Sequence, residues 1–229
     1  MTGFVITPPP NPALAVAGLE QRFPLRRVFC VGRNYAAHAR EMGADPNREP
    51  PFFFTKPADA VVPASGTLPY PSSTRELHHE VELVVALKGG GTDIAPEQAM
   101  DLVWGYGVGL DLTRRDLQAT AKAKSLPWDS SKAFDQSAPV SALRTVAEIS
   151  HPQQAHLALS VNDAMRQQAD IAEMIFKVPE IIAELSKLWE LAPGDLIFTG
   201  TPAGVAALQR GDRFRAELGD IAACEGRIV

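Results

Sequence analysis

The chain has 229 residues, of which 45% are hydrophobic and 21% charged, with a formal net charge of −5 and two cysteines. That length supports one large domain or two small ones with a sizeable core, in a composition ordinary for a globular protein. It excludes a basic nucleic-acid surface, a disulfide framework, a zinc site built on spaced cysteines and, with no run of eighteen apolar residues, a membrane-spanning helix.

Residues 1–24 read as an extended lead-in, with room for a short strand, ahead of a single domain over 25–229. The opening MTGFVITPPP lacks a positively charged start before an apolar core. No signal peptide is therefore expected, and a reducing cytoplasm fits best. RRVFCVGRN is a short apolar strand, after which Asn34 stands as the N-cap of a helix through YAAHAREM that Gly43 stops. PFFFTKP is a second strand, closed by Pro57. HEVELVV, residues 79–85, is a third. GGGTDI is a turn, and Pro96 opens a helix through EQAMDLV. VWGYGVGLDLT is a strand with glycines on one face, and TRRDLQATAKAKS has helical composition. HLALSVND runs as a strand into a tight turn at Asn162-Asp163, and AMRQQADI returns. PEIIAELSKLWEL places Ile181, Ile182, Leu185, Leu188 and Trp189 on one helical face, with Pro179 at its start. A PGD turn leads into LIFTGTPAGV, and GDRFRAELGDIAACEGRIV alternates like a closing hairpin. Many short strands with few helices make the fold mainly β, in the α+β class.

Chemistry concentrates at four places. In the third strand, alternation puts Glu80, Glu82 and Val84 on one face and Val81, Leu83 and Val85 on the other. The pair is either a solvated acidic face or two oxygen ligands for one hard cation. Asp111 ends GYGVGLDLT and shares a face with Gly107 and Gly109, which would clear space beside it; a turn or helix-capping role is the alternative. Three converging carboxylates repel one another unless a cation joins them, and all-oxygen donors suit Mg²⁺, Mn²⁺ or Ca²⁺ rather than zinc. His38 and Glu41 stand three apart on a short helix. They are either a surface charge pair or an imidazole oriented by a carboxylate to act as a base on water. Lys132, in SSKAFDQSAPVS, is either an ordinary surface lysine or a cation for a developing oxyanion. FTGTPAGV offers backbone N–H groups, Thr199 and Thr201 to a carboxylate, or is a plain turn.

GRNYAAHAREMG, PFFFTKP, HHEVELV, GYGVGLDLTRRDLQ, SKAFDQSAPV and GDLIFTGTPAGV occur in that order from about residue 26 onward. Together they resemble the fumarylacetoacetate hydrolase family, in particular its short acylpyruvate hydrolase members, and among these the bacterial enzymes that cleave fumarylpyruvate. The resemblance implies a mixed β-sandwich roll of that family's C-terminal-domain type, usually a homodimer. It implies that Glu80, Glu82 and Asp111 hold a metal, usually magnesium. It matches His38 and Glu41 to a water-activating dyad and Lys132 to the catalytic lysine. Arg115, Gln118 and Thr201 match substrate-gripping positions, and Lys56, at a KP position, is counted among the substrate-binding residues with them.

The implied activity is metal-dependent hydrolysis of a C–C bond in a 2,4-dioxo acid, with fumarylpyruvate yielding fumarate and pyruvate in gentisate-type aromatic degradation. Arg33, Arg40 and Arg114 are candidates for a second carboxylate on the acyl arm. Oxaloacetate decarboxylation and isomerisation of dienoic diacids could use the same site, and a metal-stabilised binding domain without turnover is a further alternative. The longer relatives carry an N-terminal SH3-like domain that this length does not accommodate, which argues against fumarylacetoacetase itself.

Overall fold

In a computed structural model the chain is described over residues 3–41 and 50–229, without the side chains of residues 39–41. Strands dominate, as expected. The central pair is Val81–Leu87 and Val103–Leu110, antiparallel, with Glu82 opposite Gly109 and Val84 opposite Gly107. They lie inside an eight-stranded sheet. Leu196–Phe198 pairs antiparallel with Val81–Leu87 and parallel with Val28–Gly32, which in turn pairs with Phe52–Lys56. On the other side Ala138–Val140 joins Val103–Leu110 and pairs parallel with Val61–Pro63.

A second sheet of five strands runs Ala164–Asp170, His156–Val161, Arg213–Leu218, Ala222–Ile228 and Ser65–Leu68. Its first hairpin turns at Asn162 and Asp163, both in the left-handed region at φ 50° and 63°. That is the backbone a two-residue type I′ turn needs, and Asn and Asp tolerate it better than most residues. Arg213–Leu218 and Ala222–Ile228 form the closing hairpin that the alternation announced.

The two sheets share one core. Val81, Leu83 and Val85 pack there with Leu157, Leu159, Phe214, Ala216 and Leu218, and helix Val178–Leu188 adds Ile181, Ile182 and Leu185. Burying each of these leucines or isoleucines is worth about 1.5–3 kcal/mol. The opposite face of the central strand is covered as well. Val84 and Ala86 meet Val28, Cys30, Leu196, Phe198, Leu14 and Phe23. Leu14 and Phe23 come from the lead-in, where Ala13–Ala15 pairs with Arg22–Pro24. Among the described residues no helix is long and apolar enough to cross a membrane.

Three local expectations change. Asn34 does not cap a helix: the helical turn is Ala36–Glu41, and Asn34 is fully buried. Its Nδ2 donates to Phe176 O at 2.9 Å and Thr199 O at 2.8 Å, and its Oδ1 accepts from Phe176 N–H at 2.7 Å. The same groups that would cap a helix locally tie three distant segments together here. The helix after Pro96 stops at Ala99 and continues only as a 3₁₀ turn, Met100–Leu102. Leu188 is 62% exposed: the helix ends there, and extended Trp189 takes the apolar place against Phe29, ring centroids 5.3 Å apart. The expected stop at Gly43 lies outside the described residues.

Candidate active site

Glu82 lies within the central strand and Glu80 immediately before it, on the face that continues into Val84 and Ala86. Asp111, one residue past Val103–Leu110, donates its N–H to Glu80 O at 2.8 Å. The ladder thus brings the third acid beside the other two. Carboxylate oxygens of Glu80, Glu82 and Asp111 lie within 4.8 Å of one another. The three residues are 6%, 1% and 0% exposed, so the solvated acidic face is ruled out. Gly109 does not open space beside Asp111 as expected: a Cβ there would stand 3.0 Å from both Phe198 and Val84, which fill that face.

Three cations face this trio. Lys132 ends the helical turn Asp129–Lys132 and is buried. Its Nζ donates to Glu80 Oε2 at 2.9 Å, to Thr113 Oγ1 at 2.6 Å and to Asp111 Oδ2. Burial would lower its pKa, but Asp111 and Glu80 outweigh burial and raise it, so Lys132 is a fixed positive charge. Arg115 opens helix Arg115–Ala123 and pairs through Nη2 with Glu80 Oε1, while its Nη1 donates to buried Gln118. Lys56 departs from expectation. It does not line the cavity bounded by Glu80, Glu82, Arg115 and Lys132 but lies fully buried behind Asp111, Nζ to Oδ1 2.8 Å, and it also donates to Leu112 O at 3.2 Å and to Lys132 O. The strand Phe52–Lys56 ends beneath the site, which makes Lys56 a support for a carboxylate rather than a grip on substrate.

The carboxylates are not equivalent. Burial would raise Glu80, yet Lys132 and Arg115 hold it well below the usual carboxylate range, with help from nearby His38. Glu82 has no ion pair among the described residues. Burial and then the charges of Asp111 and Glu80 push its carboxyl well up. Among the described residues its one hydrogen bond is from Gly200 N–H to Oε2, at 2.6 Å. Gly200 makes this approach at φ 96°, where a Cβ would meet Asn34 Cβ at 2.6 Å. A buried, all-oxygen set that includes one carboxylate short of positive charge fits a hard divalent cation.

The GTP loop therefore holds a carboxylate, but it is the protein's own Glu82. Thr199 Oγ1 donates to Leu83 O at 3.1 Å and Thr201 Oγ1 to Val81 O at 2.9 Å. Gln167, absent from the sequence expectations, completes this arrangement. Its Oε1 lies 3.1 Å from Val81 N–H and 2.8 Å from His79 Nδ1, while Nε2 donates to Thr201 Oγ1 at 2.8 Å and Pro202 O at 2.9 Å. Val81 sits between the two glutamates, so one buried amide fixes the strand that aims both. A glutamine in a polar hairpin strand offers no local sign of this. Gln167→Leu is expected to cost about 2–4 kcal/mol, since it leaves several buried polar groups unpaired; urea unfolding measures it.

His38 is 6% exposed and lines a narrow cavity with Glu80, Glu82, Arg115, Gln118, Lys132 and Thr201. The side chains of Glu41 and Arg40 lie outside the described residues. Arg33 reaches the cavity. Arg114 does not: it lies over the Phe134 ring at 4.4 Å and donates to Ser130 O at 3.2 Å.

Comparison with known proteins gives a consistent neighbourhood. Residues 27–229 match the model of the fumarylacetoacetate (FAA) hydrolase C-terminal domain. The crystal structure of fumarylpyruvate hydrolase from Pseudomonas aeruginosa in complex with Mn²⁺ and pyruvate is 50% identical, with a TM-score of 0.97 over 99% of both chains. A candidate fumarylpyruvate hydrolase from Burkholderia cenocepacia is 55% identical, with a TM-score of 0.94 over 100% of this chain and 95% of that one. The oxaloacetate tautomerase of Escherichia coli is 44% identical over 84% of this chain and 88% of its own.

Proposed function

The chain belongs to the fumarylacetoacetate hydrolase family, and on that premise we propose that it hydrolyses an acylpyruvate, fumarylpyruvate, to fumarate and pyruvate in gentisate-type aromatic breakdown. The observation that carries this reading is the 50% identity, over 99% of both chains, to an enzyme of that activity whose structure holds Mn²⁺ and pyruvate. The proposal includes a homodimer and a cytoplasmic location.

The residues suit the roles. Glu80, Glu82 and Asp111 would hold a divalent ion, magnesium or manganese, with Lys56 behind Asp111 and Gly200 N–H on Glu82 keeping their orientations. When bound, that ion supplies Lewis-acid stabilisation of negative charge on the 2-oxo acid end. Arg115 and Gln118 line the same cavity and would orient that end of the substrate. His38 would take a proton from water as its oxygen attacks the 4-carbonyl carbon, with Glu41 orienting the ring. The C3–C4 bond then breaks, the hydroxyl stays on the acyl product, and C3 takes a proton to become the methyl of pyruvate. Lys132, fixed among the carboxylates, places positive charge beside the reacting system.

A second reading is keto–enol tautomerisation of oxaloacetate, favoured by the 44% identical relative. It needs a proton moved between C3 and oxygen but no attack by water. Steady-state assays of fumarylpyruvate, acetylpyruvate and oxaloacetate, with Mg²⁺, with Mn²⁺ and with EDTA, separate the two. Cation-dependent loss of fumarylpyruvate, with fumarate formed mole for mole and EDTA abolishing it, is the expected result. Rapid oxaloacetate tautomerisation with fumarylpyruvate left intact would overturn the hydrolase assignment.

A further inference from the structure

The cavity has an aromatic wall that leads away from the carboxylates. Lys132 Nζ stands 4.9 Å from the Phe54 ring, Phe54 packs on Trp128 at 5.9 Å between centroids, and Trp128 meets Phe52 edge-on at 5.3 Å. Two further cations rest on the outer rings. Lys122 Nζ lies 5.2 Å from Trp128 and the Arg33 guanidinium 5.5 Å from Phe52. Both line the cavity.

Unlike Lys132 and Arg115, these two have no carboxylate partner among the described residues. They also act against each other: partial burial, then Arg115 and Arg33, push the Lys122 ammonium below its ordinary value. Arg33 is held at φ 60°, a left-handed conformation that an arginine adopts only at some cost. Both side chains are exposed, so two solvated cations without a carboxylate among the described residues stand over flat apolar rings at the mouth of the cavity, where one anion would meet both.

We propose that Arg33 and Lys122 form an anion subsite for a terminal carboxylate on the acyl arm, so that the enzyme selects 2-oxo acids ending in a second carboxylate. This rests on the reading of the cavity as a 2-oxo acid site. The rings between the two ends would flank the unsaturated carbons of the arm, and Lys132 and Arg115 would serve the 2-oxo acid end alone. Among the arginines considered from the sequence, Arg33 takes this role and Arg114 does not.

The test uses two inert probes on the Mn²⁺-loaded protein: 2-oxoheptanedioate, with the same carbon chain length as fumarylpyruvate, and 2-oxohexanoate, which lacks the second carboxylate. Titration calorimetry measures the ratio of their dissociation constants. The wild type is expected to favour the diacid by about tenfold or more, as a charge-assisted contact implies. Arg33→Met with Lys122→Met should bring the ratio close to one, and Arg33→Lys with Lys122→Arg should keep most of it. A wild type that binds both acids alike, or a preference that survives the double methionine change, overturns the subsite alone. Binding of neither acid overturns the 2-oxo acid reading, and the subsite with it.

Discussion

Lys132→Met is expected to destabilise the metal-free protein by about 3–5 kcal/mol and to lower turnover by about a thousandfold. Lys132 Nζ touches Glu80 and Asp111 at once, and all three residues are buried. Removing it leaves Asp111 with Lys56 and Glu80 with Arg115, but takes away the charge that lies between the two acids. Their mutual repulsion then acts in a medium that screens it poorly. Divalent cation should restore part of the lost stability, because it supplies positive charge to the same oxygens, yet it should not restore turnover. Urea unfolding with and without Mn²⁺, beside steady-state kinetics, reads both effects. A variant as stable as the wild type without metal would show that Lys132 does not balance the carboxylates.

Glu82→Gln should do the reverse to stability while also losing activity. Glu82 is 1% exposed, has no ion pair among the described residues, and is pushed up by burial, Asp111 and Glu80. An amide keeps an oxygen for the Gly200 N–H and carries no charge. The metal-free variant is therefore expected to gain about 1–2 kcal/mol at neutral pH. The sign follows from linkage. The folded carboxyl holds its proton above the ordinary value of 4.5, where the unfolded chain has released it. Wild-type stability thus falls as the pH climbs from 4.5 through the raised folded value. The advantage of the variant should widen across that window and vanish below it. With Mn²⁺ present the order should invert, because the ion binds the ionised wild-type carboxylate and the variant has lost it. Thermal unfolding against pH, with and without Mn²⁺, measures this. A variant less stable than the wild type without metal would mean that Glu82 is compensated by something other than a cation.

The two substitutions divide the site along a line that strand geometry drew in advance. Alternation in HEVELVV puts Glu80 and Glu82 on one face whatever the strand packs against, because successive side chains of an extended chain point to opposite sides. Short-range spacing likewise sets Arg115 and Gln118 a turn apart on one helix, both on the cavity. Asn162-Asp163 is a comparable case, since the turn depends only on backbone angles those residues tolerate. Local signals misled where a residue had a distant partner. Asn34 carries the side chain of a helix cap and bonds to Phe176 and Thr199 instead. Gly107 and Gly109 suggested open space, and Gly109 faces the Phe198 ring.

The sequence by itself thus determined a mainly β chain, the shared face of the two glutamates and the order of motifs that marks the family. Each of these follows from residue type and near-neighbour spacing. Only the tertiary structure decided that this face is buried, that Lys56 stands behind Asp111, that Gln167 ties Val81 to Thr201, and that Arg33 and Lys122 share one aromatic wall. Those facts depend on which strands pair across the sheet, and Leu196–Phe198 reaches Val81–Leu87 across more than a hundred residues of chain. A side chain's own identity says what it can bond, but the charge and solvent around it are supplied by segments that the chain brings together only when the sheets close.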